Sequence, residues 1–193
     1  KQKLETSFCF FIYITLPVNK KVKKITKNLE QTNEKAYNYI INSTNKKTEE
    51  CFMKAYTYVK PGLASFVDVD KPVIRKPTDA IVRIVKTTIC GTDLHIIKGD
   101  VPACQSGTIL GHEGIGIVEE VGEGVSNFKK GDKVLISCVC ACGKCYYCKK
   151  GIYAHCEDEG GWIFGHLIDG MQAEYLRVPH ADNTLYHTPE DLS

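Results

Sequence analysis

A chain of 193 residues, 43% of them apolar, is long enough for one domain with a buried core, or for one domain and a tail. Its net charge of +2 singles out no class of partner, and the charge is unevenly spread: residues 1–52 carry ten Lys against five Glu, so the remainder is mildly acidic.

Glycine divides the chain in the same place. All sixteen glycines lie at or after Gly62, and a globular enzyme domain needs glycine for turns and close backbone approaches. The first residue is Lys1, and Met53, opening MKAYTYVKPG, reads as a natural start. Residues 1–52 are therefore expected to be an unrelated or disordered N-terminal extension, with the domain proper at 53–193. The apolar run FCFFIYITLPV at 8–18 is too short for a bilayer, which needs about 20 residues. No small-residue cleavage site follows it. NKKVKKITKN at 19–28 reads as a solvated basic segment. Neither a membrane nor a nucleic acid is expected as a partner.

Beyond Met53, IVRIVKTTI (81–89), GIGIVEEVG (114–122), DKVLIS (132–137) and QAEYLRV (172–178) are short, β-branched and bounded by glycine or charge. They predict strands. One helical turn is expected around Asp93–Ile97, and the class is mostly β.

Between the last two strands, CACGKCYYCKKGIYAHC holds five cysteines at 140–156. Cys142, Cys145, Cys148 and Cys156 form C-x2-C-x2-C-x7-C. Such spacing lets a tight loop aim four sulfurs at one point, and Zn²⁺ takes four thiolates at about 2.3 Å without redox chemistry. The expectation is a closed structural zinc site, which has no open position and performs no chemistry. Upstream, Cys90 follows a strand, while His112 and Glu113 open the next. A thiolate, an imidazole and a carboxylate at strand ends can form a metal site with a free position, but lone residues of these types are also commonly just packed.

CGTDLH, LGHEGIGIVEEVG, GDKV and the four-cysteine lobe, in this order, resemble the zinc-containing medium-chain alcohol dehydrogenases. GGWIF followed by DGMQAEYLRVP resembles their secondary alcohol dehydrogenase branch. The resemblance covers 53–193 and implies a GroES-like, partly open β-barrel catalytic domain carrying a zinc lobe. It implies that Cys90 and His112 ligate a catalytic zinc, that Glu113 is the adjacent carboxylate able to approach or transiently ligate it, and that Asp93 hydrogen-bonds the ligating imidazole. Alcohol dehydrogenase is the standing example of a catalytic zinc held by two cysteines and one histidine. Thr92 would take the substrate proton and pass it through the cofactor ribose to His95. Cys138 and Trp162 would line the alcohol pocket. The implied reaction is hydride transfer between a primary or secondary alcohol and NAD or NADP, with a ketone or aldehyde as product. Two zinc ions are implied per complete subunit, and one is expected in this chain.

Two parts of such an enzyme lie beyond what the sequence contains. The family's third zinc ligand, Cys or Asp, falls past Ser193. No G-x-G-x-x-G follows a strand, so no cofactor-binding residue is assigned and the C-terminal Rossmann domain is expected to be absent. Gly114/Gly116 and Gly122/Gly124 lack the third glycine. Thr188-Pro189-Glu190-Asp191 announces a helix just before the chain stops, so an inactive fragment is expected. The intact thiols suit a reducing cytoplasm, and the resemblance implies a homo-oligomer for the complete enzyme. Threonine, polyol and formaldehyde dehydrogenases share these motifs. A non-catalytic zinc-stapled module is the alternative of another class.

Overall fold

The computed structural model describes residues 52–189. The readings made for residues 1–51, and for the acids Glu190 and Asp191 of the announced helix, fall outside these described residues.

The chain enters through a hairpin. β1 (Phe52–Lys60) pairs antiparallel with β2 (Leu63–Asp70), from Phe52↔Asp70 to Lys60↔Leu63. Pro61-Gly62 joins them with Gly62 at φ +81°, the proline-then-glycine pattern of a type II turn. Along β1, Met53, Ala55 and Thr57 are buried while Phe52 and Lys54 are exposed, the period-2 signature of a half-covered strand. This hairpin was not among the predicted strands, although MKAYTYVK-PG-LASFVDVD carried both the alternation and the turn. Its back edge holds remote parts of the chain together. Leu110 N donates to Tyr56 O (3.0 Å) and Tyr56 N to Gln172 O (2.8 Å), so β1 straps two distant segments to each other.

The main sheet has five antiparallel strands in the order β6-β3-β4-β5-β7. These are β3 (Ala80–Thr87), β4 (Gly114–Val121), β5 (Lys133–Ile136), β6 (Tyr175–Val178) and β7 (Leu185–His187). The predicted strands are all present, shorter by a few residues. β6 and β7 end the sheet without pairing to each other, so the barrel stays open, as expected. The inward residues Val82, Val118, Val134, Leu176 and Val178 surround Phe164 and are almost completely buried. Burial of each such side chain stabilises by roughly 1.5–3 kcal/mol.

Gly116 and Gly122 serve close approach. A Cβ on Gly116 would strike the Arg83 carbonyl, and one on Gly122 the Pro77 carbonyl. All named strand pairs are antiparallel, so the described residues hold no parallel β-α-β unit of the dinucleotide-binding kind. No helix among them is long and apolar enough to cross a membrane.

Candidate metal centres

The first centre grows from a neck. Cys140 and Gly161 exchange two backbone hydrogen bonds of 2.9 and 2.8 Å, and the chain between them forms a lobe. Within it, short helix α2 (Tyr146–Lys149) is capped by Cys145, whose sulfur accepts from Cys148 N at 3.4 Å. Cys142 N donates to Cys156 Sγ (3.2 Å) and Cys145 N to Cys142 Sγ (3.4 Å). Main-chain N–H groups thus turn the sulfurs inward, and those of Cys142, Cys145, Cys148 and Cys156 lie within 4.8 Å of one another. Cys142 and Cys148 are 3.9 Å apart, S to S. A tetrahedron with ligands at 2.3 Å has edges of about 3.8 Å, whereas a disulfide needs about 2.05 Å. All the described cysteines are free thiols. The donor set fits zinc.

The thiols of the lobe sit in different environments. N–H donation from Glu157 and Cys148 lowers the Cys145 thiol to about 6, while burial pushes Cys148 up. Carboxylates then tie the lobe to the sheet. The buried Arg177 of β6 donates to Asp79 Oδ2 (3.0 Å) and Glu159 Oε1 (2.8 Å), and Lys76 pairs with Glu159 (2.7 Å). Lys144, beside the thiols, reaches Asp158 at 3.4 Å.

The second centre is assembled at the end of the sheet. β3 runs out through Thr88 and Ile89 to Cys90, which sits in extended conformation as N-cap of α1 (Gly91–Lys98). The expected single turn is thus an eight-residue helix. At its third position Asp93, 1% exposed, accepts from Cys90 N at 2.8 Å through Oδ2 and from Gly111 N at 3.2 Å through Oδ1. One carboxylate therefore fixes the main chain at Cys90 and, 21 positions later, at the residue preceding His112. Gly111 takes φ +94°, where a Cβ would also meet Gln172 at 2.7 Å.

These anchors bring Cys90 Sγ to 3.6 Å from His112 Nε2, and Glu113 Oε1 to 3.8 Å from the same nitrogen. Sulfur at 2.3 Å and nitrogen at about 2.05 Å from a tetrahedral ion would be about 3.6 Å apart, so this pair also fits zinc. Glu113 is 48% exposed, leaving the cluster open on one side.

One expectation is corrected. Asp93 does not hydrogen-bond the His112 imidazole: both its oxygens are taken by main-chain N–H groups, and His112 Nδ1 is buried without a partner among the described residues. Thr92 and His95, three positions apart, share a face of α1. His95 is exposed, and its Nδ1 lies 2.8 Å from Asp100 Oδ2. His95 and then Lys98 hold the Asp100 carboxyl below its ordinary value. Cys138 is exposed just beyond β5. The register Gly114↔Ile136 brings that strand end alongside Glu113. Trp162 stands edge-on to His112, with ring centroids 6.0 Å apart at 76°. Sequence reasoning assigned no role to His166, which stacks on Trp162; the tight GWIFGH turn was the available signal.

The family described as the alcohol dehydrogenase GroES-like domain matches residues 76–190. The chain is similar to zinc dependent alcohol dehydrogenase 2 from Streptococcus pneumonia in its apo form. That likeness has 96% identity and a TM-score of 0.70, over 73% of this chain and 40% of that one. It is 45% identical over 150 residues to AdhB of Bacillus subtilis (strain 168), an uncharacterized zinc-type alcohol dehydrogenase-like protein, covering 72% of this chain and 39% of that one. It is 40% identical over 131 residues to L-threonine 3-dehydrogenase of Pyrococcus horikoshii, covering 66% and 37%. The chain thus spans about two fifths of the length of these relatives. Because the match runs through the open sheet, the lobe and the strand-end cluster alike, this chain belongs to the alcohol dehydrogenase GroES-like domain family.

Proposed function

We propose that residues 53–193 form the catalytic domain of a zinc-dependent alcohol dehydrogenase, acting on a primary or secondary alcohol with NAD or NADP. The observation that carries this reading is the open cluster of Cys90, His112 and Glu113, whose ligand atoms lie within 4.8 Å of one another. Cys90 and His112 would hold a catalytic zinc, and Glu113 would stand at its exposed edge. The lobe thiols Cys142, Cys145, Cys148 and Cys156 would hold a structural zinc. A zinc ion in the open site supplies Lewis acidity toward an alcohol oxygen, and a nicotinamide supplies the hydride acceptor.

The chain's own residues do the positioning. Asp93 fixes the backbone under both candidate ligands. Thr92 Oγ1 would accept the alcohol proton, and His95, on the same face and open to solvent, would receive it at the far end of the relay. Trp162 and Cys138 would flank the alkyl group of the substrate. The free thiols support a reducing, cytoplasmic setting, and a homo-oligomer is part of the same reading.

The test is an assay of the complete gene product, zinc-loaded, with a panel of alcohols and either nicotinamide. Alcohol-dependent nicotinamide reduction is expected, abolished by Cys90→Ser and by His112→Ala while the lobe zinc remains bound. No reduction with any alcohol would sink the proposal. Similarity to a threonine 3-dehydrogenase favours a second reading within the family, and preferred oxidation of threonine or a polyol in that panel would select it.

A further inference from the structure

Trp162 is the sole tryptophan of the sequence. One side of it faces the candidate catalytic centre, edge-on to His112. Its flat face lies on His166, with ring centroids 3.8 Å apart and planes at 21°, a close, near-parallel stack of two aromatic rings. The two residues differ sharply in freedom: Trp162 is 37% exposed, while His166 is 6% exposed.

The segment carrying both rings is rigid and anchored to the ligand-bearing chain. Leu167 N and Ile168 N both donate to Ile163 O at 3.0 and 3.1 Å, and Gly165 N donates to Ile168 O at 2.9 Å. Phe164 lies fully buried in the sheet core beneath them. Gly165 lies at φ +78°, and a Cβ there would sit 2.9 Å from Gly111 N. Met171 N donates to Gly111 O at 3.0 Å and Gln172 N to Leu110 O at 2.8 Å. The backbone thus holds His166 and His112 close together, with the indole against both rings. The indole side chain itself, over a third exposed, is otherwise free to choose a rotamer. Burial lowers the basicity of His166. A stack of this kind biases the rotamer population by roughly 2- to 10-fold.

We propose that His166 is the positioning residue of the alcohol pocket: it clamps Trp162 so that the indole stands as a wall beside His112, limiting the size and branching of the alkyl group admitted there. This rests on the alcohol-oxidising function proposed above. His166 acts through Trp162 and touches neither substrate nor metal. Removing its ring should let the indole swing away and open the pocket to bulkier alcohols, with KM for the bulky substrates changing more than kcat for ethanol.

Two measurements test this. In the zinc-loaded chain of residues 1–193, indole fluorescence comes from Trp162, so acrylamide quenching reads its freedom directly. His166→Ala should raise the quenching constant about 2- to 3-fold, and His166→Phe, which keeps a flat ring, should bring it back toward the wild-type value. In the complete gene product, His166→Ala should move the kcat/KM ratio of a branched secondary alcohol over ethanol upward by roughly 2- to 10-fold, with His166→Phe restoring it. Unchanged quenching in His166→Ala overturns the clamp, and changed quenching with an unchanged selectivity ratio overturns the role in specificity. If His166→Ala does not fold, loss of the indole's protection in a folded His166→Phe overturns the stacking account. A wild-type gene product that oxidises no alcohol sinks the functional reading first, and the specificity role with it. Unchanged quenching in an active enzyme sinks this proposal alone.

Discussion

The lobe and the strand-end cluster both gather metal-binding side chains, but by opposite means. In the lobe, ligands 14 positions apart at most are turned inward by the N–H groups of their own neighbours. The site is local, all sulfur and closed. In the cluster, Cys90 and His112 belong to different elements, and one buried carboxylate, Asp93, clasps the backbone under both. That site has mixed donors, is half open, and exists only when the sheet is folded. The difference suits the tasks proposed for them: a closed thiolate cage adds folding energy, and an open one leaves room for a substrate.

The largest effect should come from breaking the lobe. Cys148→Ser leaves three thiols for four, and structural zinc contributes on the order of 10 kcal/mol in small zinc-folded peptides. Loss of zinc and of cooperative thermal unfolding is expected, and an unchanged melting curve would show that the lobe does not staple this fold. Asp93→Ala should act on the other centre. It removes two hydrogen bonds to a charged acceptor, costing about 3 kcal/mol, and should weaken cobalt binding at the open cluster about 10- to 100-fold. The lobe metal should be unaffected; equal weakening at both centres would erase the contrast.

Gly111→Ala forces a side chain into the left-handed region beside Gln172. It should cost about 1–3 kcal/mol in a denaturant titration and lower metal affinity at the cluster only. The smallest effect is expected from acid. Burial raises the Glu159 carboxyl, but Lys76 and Arg177 together outweigh it and hold it below its ordinary 4.5. A carboxylate depressed in the folded state stabilises fully above that ordinary value and loses the contribution as pH falls through the lowered one. Melting temperature should therefore drop more steeply below about pH 4.5 in wild type than in Glu159→Gln. Parallel curves would remove Glu159 from the strap between lobe and sheet.

The two centres were not equally legible. The cage could be read from spacing because its four ligands are near neighbours in the chain, and the strands from β-branched runs between glycines. The ligand pair of the open cluster came from a resemblance, since nothing in the spacing of Cys90 and His112 brings them together. Asp93 was assigned to the wrong partner because its second hydrogen bond, to Gly111, depends on how α1 docks against the chain before β4. The β1–β2 hairpin was missed although Pro61-Gly62 marked its turn. His166 went unassigned because the residues between it and Trp162 form a tight turn rather than a helix, and no periodic pattern announces a stack.

The neck of the lobe has a consequence of its own. Cys140 and Gly161 are hydrogen-bonded to each other in both directions, so the sheet meets the lobe as a loop whose ends are already shut. Closing a loop costs entropy that grows only slowly with its length, and here the shared bridge fixes where both ends leave the sheet. In engineering terms the lobe is a cassette. A different metal-binding loop grafted at Cys140 and Gly161 would meet the same two anchor points, and the Arg177–Asp79 pair beneath would keep its partner.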